Sequence, residues 1–579
     1  MANLRYEYSK TSNNQVYSDG SIERQMLEMA QAGNVDWYRD GRWPVVYHFA
    51  PMRQNILNWY PFRDGAAILE VGAGCGAITG MLCRRGKKVD AIELTEIRSK
   101  INHARNRDCD NLNIFICDIN DFSTEEKYDY VVVNGVLEYA AFMMKGEDPY
   151  TGFLQRVRSF LKPEGILLLA IENRIGLKYF AGSREDHLGE YFVGVNGYRQ
   201  QDRIRTFSRR ELGELLSRSG FEVLRDFYPF PDYKFPMEIL TRESINARRL
   251  SDGSRDYHMD GEWVDLFSAE TVMATLQKEG VAASFANSFL LEIALSGAGV
   301  QGDRVSYVKV SSNRREDKRI CTLIDEQAGT VRKAWLTPEG EAHVRDMLRW
   351  QGDHGAFRNI PCRAAEGGIE FDLLRGNSLL ETLTELDRSG EEAQLSERVK
   401  AVFDLMRSAE PDCEPQERDR FEEVFGKASE NSGFHWKRNL NIDCIPENLF
   451  PRQDGGYDVI DYEWCFDFPV PVEYVFWRFV LQLERACGKP LPGIREAAGI
   501  SREMSMEFDR WERHFMSSHV GTKNMNHLTV PKAGPGAIAL RGGKGPLSLA
   551  WRLLSPLSRR MKKIGALAGK AATRLPRRS

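Results

Sequence analysis

The sequence predicts an α/β fold for the first half of the chain, then an α+β unit and a basic tail. Three observations lead to this prediction. Buried-strand patterns alternate with amphipathic helical patterns between Ala66 and Phe221, a glycine-rich turn follows the first of these strands, and strand patterns begin again near Asp303. Regular alternation of this kind is typical of a parallel sheet covered by helices, and 579 residues are enough for about three domains.

Seven apolar segments in the first half are predicted to be strands. The first five are short and bounded by polar residues, which indicates strands buried on both faces. The last two are longer and alternate in polarity. The segments are Ala66–Val71, Lys88–Leu94, Asn113–Ile116, Tyr130–Asn134, Gly165–Ile171, Phe221–Phe230 and Ser284–Leu295.

Composition and periodicity place the domain boundaries. Residues 1–60 are predicted to form a helical cap, and the α/β domain spans 61–297. An insertion at about 231–283 is too long for a simple loop, so we expect structure within it. The second unit spans 303–519 and becomes helical from about Leu379, and 521–579 is a Gly- and Pro-rich, basic amphipathic tail that we expect to be flexible.

The charge is distributed unevenly along the chain. Residues 531–579 hold twelve Lys and Arg and no Asp or Glu, which leaves −16 on residues 1–530 because the whole chain carries −4. The ten cysteines form no CxxC pair, and neither a secretory signal nor a membrane-spanning run is visible. We therefore expect a cytoplasmic protein with reduced thiols and no disulfide framework.

A glycine turn after the first predicted strand is the sharpest motif, Ile68-Leu69-Glu70-Val71-Gly72-Ala73-Gly74-Cys75-Gly76. Glycines there permit a tight turn and a close approach of the backbone to a ligand. The spacing of Gly72, Gly74 and Ala77 also fits a dinucleotide-binding loop, although no site for hydride transfer is evident. A purely structural turn is the remaining alternative.

Polar residues follow the next strands. Glu93 ends the second strand, 23 residues after Glu70, where a carboxylate can accept hydrogen bonds from ribose hydroxyls. Asp118 follows the third strand, and Asn134 ends the fourth. Because parallel strands end at one edge of a sheet, we expect these side chains to lie around one cofactor.

This series of motifs resembles the class I S-adenosylmethionine (SAM)-dependent methyltransferases over about 230 residues. The resemblance implies a Rossmann-like, seven-stranded sheet that ends in an antiparallel pair, with SAM as the cofactor. It implies that Glu70, Gly72, Gly74 and Gly76 hold the methionine part of SAM. Glu93 would hold the ribose and Asp118 the adenine, and Asn134 is assigned to the same site.

The methyl acceptor is less clearly marked. His187 is a candidate base for a hydroxyl acceptor, because the pKa of an unperturbed imidazole is near neutral. The alternative is a histidine packed in a loop. Glu172-Asn173-Arg174 follows the fifth strand at the edge where ligands bind, whereas we interpret Asp232-Tyr233-Lys234 as a structural turn.

The second unit contains an ordered set of phosphotransferase residues. Asp443 and Asn448 are five residues apart, and Asp461 follows in Ile460-Asp461-Tyr462-Glu463. An Asp that orients the acceptor, with an Asn and a second Asp that hold Mg²⁺, is the combination that kinase chemistry needs. Upstream, Lys333 in a predicted strand and Glu341 in the next helix can pair beside the phosphates of ATP.

These residues resemble the kinase-like phosphotransferases, including aminoglycoside and sugar kinases, over about 200 residues. Two features depart from that family: Asn441 stands where a histidine is usual, and no glycine-rich loop precedes Lys333. The turn Ser311–Lys318 is a substitute whose arginines either touch phosphates or face solvent. Activity therefore stays open, with an inactive docking module as the alternative.

The tail from Leu547 to Leu575 interleaves apolar and basic residues, which predicts peripheral contact with an anionic membrane. Disorder is the alternative, and nucleic-acid binding is not expected because no recognition motif is present.

The order of the parts resembles bifunctional methyltransferase–kinases that terminate bacterial O-antigen chains. That resemblance implies a glycan or sugar-phosphate acceptor at the inner face of the membrane, although this chain lacks a long heptad coiled coil. A small-molecule methyltransferase is a further alternative, and the oligomeric state stays open.

Overall fold

The computed structural model describes residues 1–8, 19–248, 250, 263, 264, 266–414, 416–429 and 433–523. These residues form two compact units. The first unit contains the described parts of 1–56 and 61–303, and the second contains those of 57–60 and 304–524. The predicted membrane-binding segment, 547–575, lies outside the described residues.

The first unit is built on a mixed sheet whose central strands are buried on both faces. Six strands run parallel in the order β1-β4-β3-β2-β5-β6, and β9, β7 and β8 continue the sheet in antiparallel pairs. The strands are β1 Asn3–Arg5, β2 Ala67–Val71, β3 Lys88–Glu93, β4 Leu112–Ile116, β5 Tyr128–Asn134, β6 Leu161–Glu172, β7 Phe221–Phe230, β8 Glu238–Thr241 and β9 Ser288–Leu295.

The helices of this unit follow the strands and begin and end at recognisable residues. Helix α9 begins with a capping box between Ser208 and Glu211, and α1 ends at the left-handed Gly33. The helices are α1 Ile22–Ala32, α2 Trp37–Asp40, α3 Trp43–Phe49, α4 Thr79–Arg85, α5 Glu96–Arg105, α6 Ala140–Met143, α7 Pro149–Arg158, α8 Leu177–Ala181, α9 Arg209–Arg218, α10 Ala269–Lys278 and α11 Ala282–Phe285.

The Rossmann-like sheet predicted from the sequence is present, but it has nine strands among the described residues of this unit instead of seven. The expected helical cap begins with a strand, β1, which pairs with β4. The last predicted strand begins at Ser288 rather than Ser284, because residues 282–285 form a helix. Residues 57–60 belong to the second unit and not to the cap.

The second unit begins with an antiparallel sheet and continues as a mainly helical part. The sheet has the order β10-β11-β12-β16-β15, and a smaller sheet has the order β13-β14-β20-β19. The strands are β10 Tyr307–Ser311, β11 Ile320–Asp325, β12 Thr330–Trp335, β13 Gly352–His354, β14 Phe357–Asn359, β15 Cys362–Ala365, β16 Gly368–Asp372, β17 Trp436–Lys437, β18 Leu440–Asn441, β19 Leu449–Pro451, β20 Tyr457–Val459, β21 Cys465–Phe466 and β22 Val470–Pro471.

The helices of the second unit surround an aromatic core. Phe421, Trp436, Phe508 and Trp511 are among its buried side chains. The helices are α12 Glu341–Trp350, α13 Leu379–Arg388, α14 Glu392–Ala409, α15 Arg418–Phe425, α16 Val472–Cys487, α17 Pro492–Ala497 and α18 Arg502–His514. No helix in the described part of the chain is long and apolar enough to cross a membrane.

A buried ion pair joins the N-terminal helices to the sheet domain. The guanidinium of Arg98, on α5, lies 2.8 Å from the carboxylate of Glu23 on α1 and 2.8 Å from that of Asp19. The side chains of Arg98 and Glu23 are only 4% and 5% exposed. Removal of one partner from such a pair leaves a buried charge uncompensated.

We expect Arg98→Ala to destabilise the first unit by about 3–5 kcal/mol, because Glu23 and Asp19 then lose their cation. Thermal unfolding of the purified protein measures this change. The control is Lys100→Ala on the same helix, which removes an exposed pair with Glu96 and is expected to cost less than about 1 kcal/mol. Equal melting temperatures for the two variants would contradict the docking role of Arg98.

Candidate active site

The turn after β2 contains three glycines in a left-handed conformation, and two of them also have no room for a side chain. Gly72, Gly74 and Gly76 have φ values of 71°, 54° and 75°, in the left-handed region that other residues rarely adopt. A Cβ on Gly72 would lie 2.5 Å from Val136, and one on Gly76 would lie 2.3 Å from Asn102. A Cβ on Gly74 meets nothing within 4 Å, so Gly74 borders open space.

The carboxylate of Glu93 connects the end of β3 to this turn. Its Oε2 accepts a hydrogen bond of 2.9 Å from the backbone N–H of Gly74. Its Oε1 accepts hydrogen bonds of 2.8 and 2.9 Å from the backbone and hydroxyl of Thr95. Glu93 is thus held beside the space that Gly74 borders, as the predicted cofactor role requires.

Glu70 lies behind the turn rather than in that space. It is buried and accepts a 2.6 Å hydrogen bond from the hydroxyl of Thr79. Burial raises the pKa of Glu70 to about 8 in spite of that hydrogen bond, so the carboxyl group is largely protonated at neutral pH. Glu70 therefore positions the turn through Thr79, and we assign it no direct contact with a cofactor.

Asp118 and Asn134 follow β4 and end β5 at the same edge of the sheet. Oδ1 of Asp118 accepts hydrogen bonds from the backbone and side chain of Asn120, which fixes its carboxylate. Oδ1 of Asn134 is buried and has no hydrogen-bond partner among the described residues. A buried amide oxygen without a partner marks a place where a ligand can donate a hydrogen bond.

A buried network of charges lies beyond the ends of β5 and β6. Glu172, at the end of β6, accepts a 2.7 Å hydrogen bond from Nζ of Lys234 and one of 3.2 Å from the hydroxyl of Tyr233. Nζ of Lys234 also lies 3.1 Å from Asp186, which pairs with Lys178 at 2.9 Å. Although burial raises the pKa of Glu172, the cations of Lys234 and His187 hold it well below the usual value.

This network overturns the interpretation of residues 232–234 as a structural turn. Tyr233 and Lys234 point into the domain, where Lys234 is 8% exposed and Tyr233 is 2% exposed. A Cβ on Gly135 would lie 2.6 Å from the hydroxyl of Tyr233, so Gly135 leaves room for that ring. No spacing in the sequence relates Lys234 to Glu172.

The N-terminal segment covers the same loop. Arg53 donates a 3.0 Å hydrogen bond to the backbone carbonyl of Lys234, and its guanidinium stacks 4.3 Å from the ring centre of Tyr47. Asn55 donates a 2.7 Å hydrogen bond to the carbonyl of Pro236. Sequence patterns did not reveal Arg53 and Asn55, which hold the loop that carries Lys234 in place.

His187 is not placed as the free base that the sequence predicted. Its side chain is buried, with Nδ1 2.9 Å from the hydroxyl of Tyr139 and Nε2 3.5 Å from Glu172. Burial lowers the pKa of His187, but Glu172 and its neighbouring carboxylates outweigh burial and raise the pKa to about 9. A histidine already protonated at neutral pH cannot accept a proton from a hydroxyl.

In the second unit, three predicted residues meet. Lys333, on β12, forms an ion pair with Asp461 and is buried. Burial lowers the pKa of Lys333, but Asp461 and Glu463 raise it above the usual value overall. Asp443, Asp461 and Glu463 each place a carboxylate oxygen within 4.8 Å of the others, an arrangement that can hold a metal ion.

Asp443 is fixed by its neighbours. Arg478 donates a 2.9 Å hydrogen bond to Oδ1 of Asp443, and burial raises the pKa of this carboxyl to about 7. Asn448 donates a 3.0 Å hydrogen bond to the backbone carbonyl of Asp443. Asn441 donates one of 2.8 Å to the carbonyl of Asp461 and accepts one from the N–H of Asp443. Asn441 thus joins the two Asp segments.

One expectation for the second site is wrong, because Glu341 pairs with Arg345 on the exposed face of α12 and does not pair with Lys333. Of the two alternatives for the arginines of the Ser311–Lys318 turn, exposure to solvent does not hold for Arg314. Its side chain is only 18% exposed, and its guanidinium lies 2.9 Å from Glu463. Arg315, by contrast, makes an exposed pair with Asp317 at 2.6 Å. A basic group from the Ser311–Lys318 turn therefore enters the carboxylate cluster.

Part of the first unit is similar to known methyltransferases. Residues 69–167 match the family model described as a methyltransferase domain. Ubiquinone biosynthesis O-methyltransferase of Xanthomonas euvesicatoria is 25% identical over 166 residues, which cover 28% of this chain and 66% of that protein. Nodulation protein S of Bradyrhizobium diazoefficiens is 42% identical over 125 residues, which cover 20% of this chain and 54% of that protein.

Solved structures overlap with part of the chain at low similarity. The CcbJ methyltransferase of Streptomyces caelestis is 14% identical with a TM-score of 0.29, and the match covers 45% of this chain and 96% of CcbJ. The N-methyltransferase NodS of Bradyrhizobium japonicum, in complex with S-adenosyl-L-homocysteine (SAH), is 21% identical with a TM-score of 0.21. That match covers 27% of this chain and 75% of NodS.

The first unit therefore contains a SAM-dependent methyltransferase domain, which confirms the prediction from the glycine turn. The chain spans about two thirds or less of the length of these curated relatives. SAM fits the residues present: the space beside Gly74 can take its amino-acid part, and the buried Oδ1 of Asn134 can accept a hydrogen bond from it.

We expect Gly74→Ala to weaken SAH binding at least about tenfold, because the added methyl group enters the space assigned to the cofactor. Isothermal titration calorimetry with SAH measures the change. Gly65→Ala is the matched control, since Gly65 has a similar φ of 70° and no atom within 4 Å of its added Cβ. If both variants bind SAH as the wild type does, the cofactor does not lie beside Gly74.

Proposed function

We propose that the protein is a SAM-dependent O-methyltransferase that acts on a bacterial surface glycan or its lipid-linked precursor. The observation that carries the proposal is the polar acceptor side of the methyltransferase site. Buried or half-buried carboxylates, lysines and tyrosines lie there in place of an apolar pocket, namely Glu138, Glu172, Asp186, Lys178, Lys234, Tyr139 and Tyr233. Such groups suit an acceptor that is rich in hydroxyl or phosphate oxygens.

The chain's own residues supply binding and orientation. SAM, when bound, supplies a methyl group on a positively charged sulfur. Glu93 holds the backbone of Gly74 in place, and Asp118 and Asn134 lie at the same edge of the sheet. Lys234 and Tyr233 fix the Glu172 carboxylate next to it. Methyl transfer depends strongly on the alignment of the acceptor with the methyl group. Side chains held rigidly in this way therefore accelerate the transfer without a free histidine base.

We further propose that the second unit binds Mg²⁺-ATP and phosphorylates the same class of acceptor. The meeting of Lys333, Asp461 and Asp443 supports this activity, since it combines a phosphate-binding cation with carboxylates that can hold metal. The exposed position of Glu341 and the pairing of Arg314 with Glu463 favour the alternative of an inactive docking module. The basic tail would keep either form at the inner face of an anionic membrane.

The methyl transfer is tested with isotope-labelled SAM and lipid-linked O-polysaccharide as the acceptor. We expect label in an O-methyl group of a sugar or its phosphate, and at least a tenfold loss of rate in Asp118→Ala, because the cofactor loses a contact. Asp121→Ala, three residues away on the surface, is the control. Label confined to small molecules, with none in the glycan, would assign the enzyme a small-molecule acceptor instead.

The nucleotide site is tested by calorimetric titration of the whole protein with Mg²⁺-ATP. We expect binding that Asp461→Asn abolishes, because the substitution removes a charge from the carboxylate cluster. Asp458→Asn is the control, since Asp458 forms a surface pair with Arg358. Absence of binding to the wild type would favour the docking module.

A further inference from the structure

Three buried side chains converge on the acceptor side of the methyltransferase site. Glu138 follows β5, Glu172 ends β6, and His187 lies in the segment after α8. One ligand atom from each lies within 4.8 Å of the others. The donor atoms of two ligands on opposite sides of one metal ion lie about 4 Å apart. Binding of an ion at this point therefore requires at most a small rotation of these side chains.

The atoms that face this point are poorly satisfied. Within the described part of the chain, both carboxylate oxygens of Glu138 are buried without a hydrogen-bond partner. Oε2 of Glu172 and Nε2 of His187 make no hydrogen bond and have only each other, at 3.5 Å. Glu138 and Glu172 are each 0% exposed. To bury the Glu138 carboxyl unsatisfied costs free energy, and its position beside this pair indicates a ligand.

The other atoms of the same side chains are already held. Nδ1 of His187 lies 2.9 Å from the hydroxyl of Tyr139, which leaves Nε2 directed at Glu172. Oε1 of Glu172 accepts hydrogen bonds from Lys234 and Tyr233, which leaves Oε2. Partners of this kind around metal sites orient the ligands and fix the histidine tautomer.

The carboxylate cluster of the second unit is different in this respect. There Asp461 pairs with Lys333, Glu463 with Arg314 and Asp443 with Arg478. Among the described residues Glu138 has no such cation of its own, and Lys234 is directed at Glu172 and Asp186. Glu138 therefore lacks the direct ion pair that each carboxylate of the second cluster has.

We propose that Glu138, Glu172 and His187 bind one divalent metal ion of the Mn²⁺ or Zn²⁺ type. Two carboxylates with one imidazole suit these ions better than Mg²⁺, which prefers oxygen ligands and water. This inference rests on the proposed O-methyltransferase function, because it assigns the ion to the acceptor oxygen. The metal and the acceptor then share one site beside the cofactor.

The ion gives the acceptor an activation that His187 does not supply, because a metal-bound imidazole is neutral and its Nε2 is occupied by the ion. An acceptor hydroxyl bound to the ion loses its proton to the free oxygen of Glu138 and then to solvent, because a metal lowers the pKa of a bound O–H group. The acceptor oxygen forms a bond to the methyl carbon as the carbon–sulfur bond of SAM breaks. The electron pair of that bond stays on sulfur, which yields neutral SAH and the methyl ether.

The test is a titration of the full chain with MnCl₂ in the absence of nucleotide, acceptor and SAM. The protein used as the background carries Asp461→Asn, which weakens metal binding at the carboxylate cluster of the second unit. We expect one Mn²⁺ per chain, with the nitrogen coupling of an imidazole ligand in pulsed electron paramagnetic resonance. Glu138→Gln is expected to weaken binding at least about tenfold, and His187→Gln to remove the nitrogen coupling. Zn²⁺ is expected to compete with Mn²⁺.

Two controls make the result decisive. Glu126→Gln, at an exposed surface pair with Lys88, is expected to bind Mn²⁺ as the background does. SAH affinity, measured in parallel, shows that each variant retains a folded cofactor site. Failure of the background to bind Mn²⁺ or Zn²⁺, or unchanged binding in Glu138→Gln, would overturn the metal site. Failure of the wild type to bind SAH would instead overturn the proposed function.

Discussion

The buried network of charges in the first unit, which we propose faces the methyl acceptor, depends on one buried carboxylate, that of Glu172. It ends a central strand and receives Lys234 and Tyr233 from the loop after β7 and His187 from the segment after α8. Each of these groups would be costly to bury alone. Because the carboxylate satisfies several of them, three distant parts of the chain form one rigid surface beside the glycine turn.

The second unit is organised by a comparable constraint. Lys333 of the antiparallel sheet pairs with Asp461, and Arg314 pairs with Glu463 two residues further on. Both acids lie between β20 and β21, so the pairs connect the sheet to the helical part of this unit. A polyphosphate that bound here would have to replace these carboxylates as the partner of Lys333 and Arg314.

The sequence predicted the structure best where a physical requirement involves only neighbouring residues. Buried strands and the glycine turn with Gly74 are recognisable because side-chain period and backbone φ depend on adjacent residues. The mutual positions of side chains from separate loops could not be predicted. Lys234 meets Glu172 only through tertiary packing, and Glu341 is exposed because the rotation of α12 about its axis depends on its apolar face. The protonation of His187 likewise follows from carboxylates far away in the sequence.

The contact between Arg53 and the carbonyl of Lys234 joins residues that are 181 positions apart. A ribosome adds about 5–20 residues per second, so Arg53 leaves it roughly ten to forty seconds before its partner. The glycine turn and the parallel strands β2 to β6 are complete before that partner is made. During synthesis, the glycine turn is therefore in a position to form first, and the loop that carries Lys234 can dock against Arg53 only later.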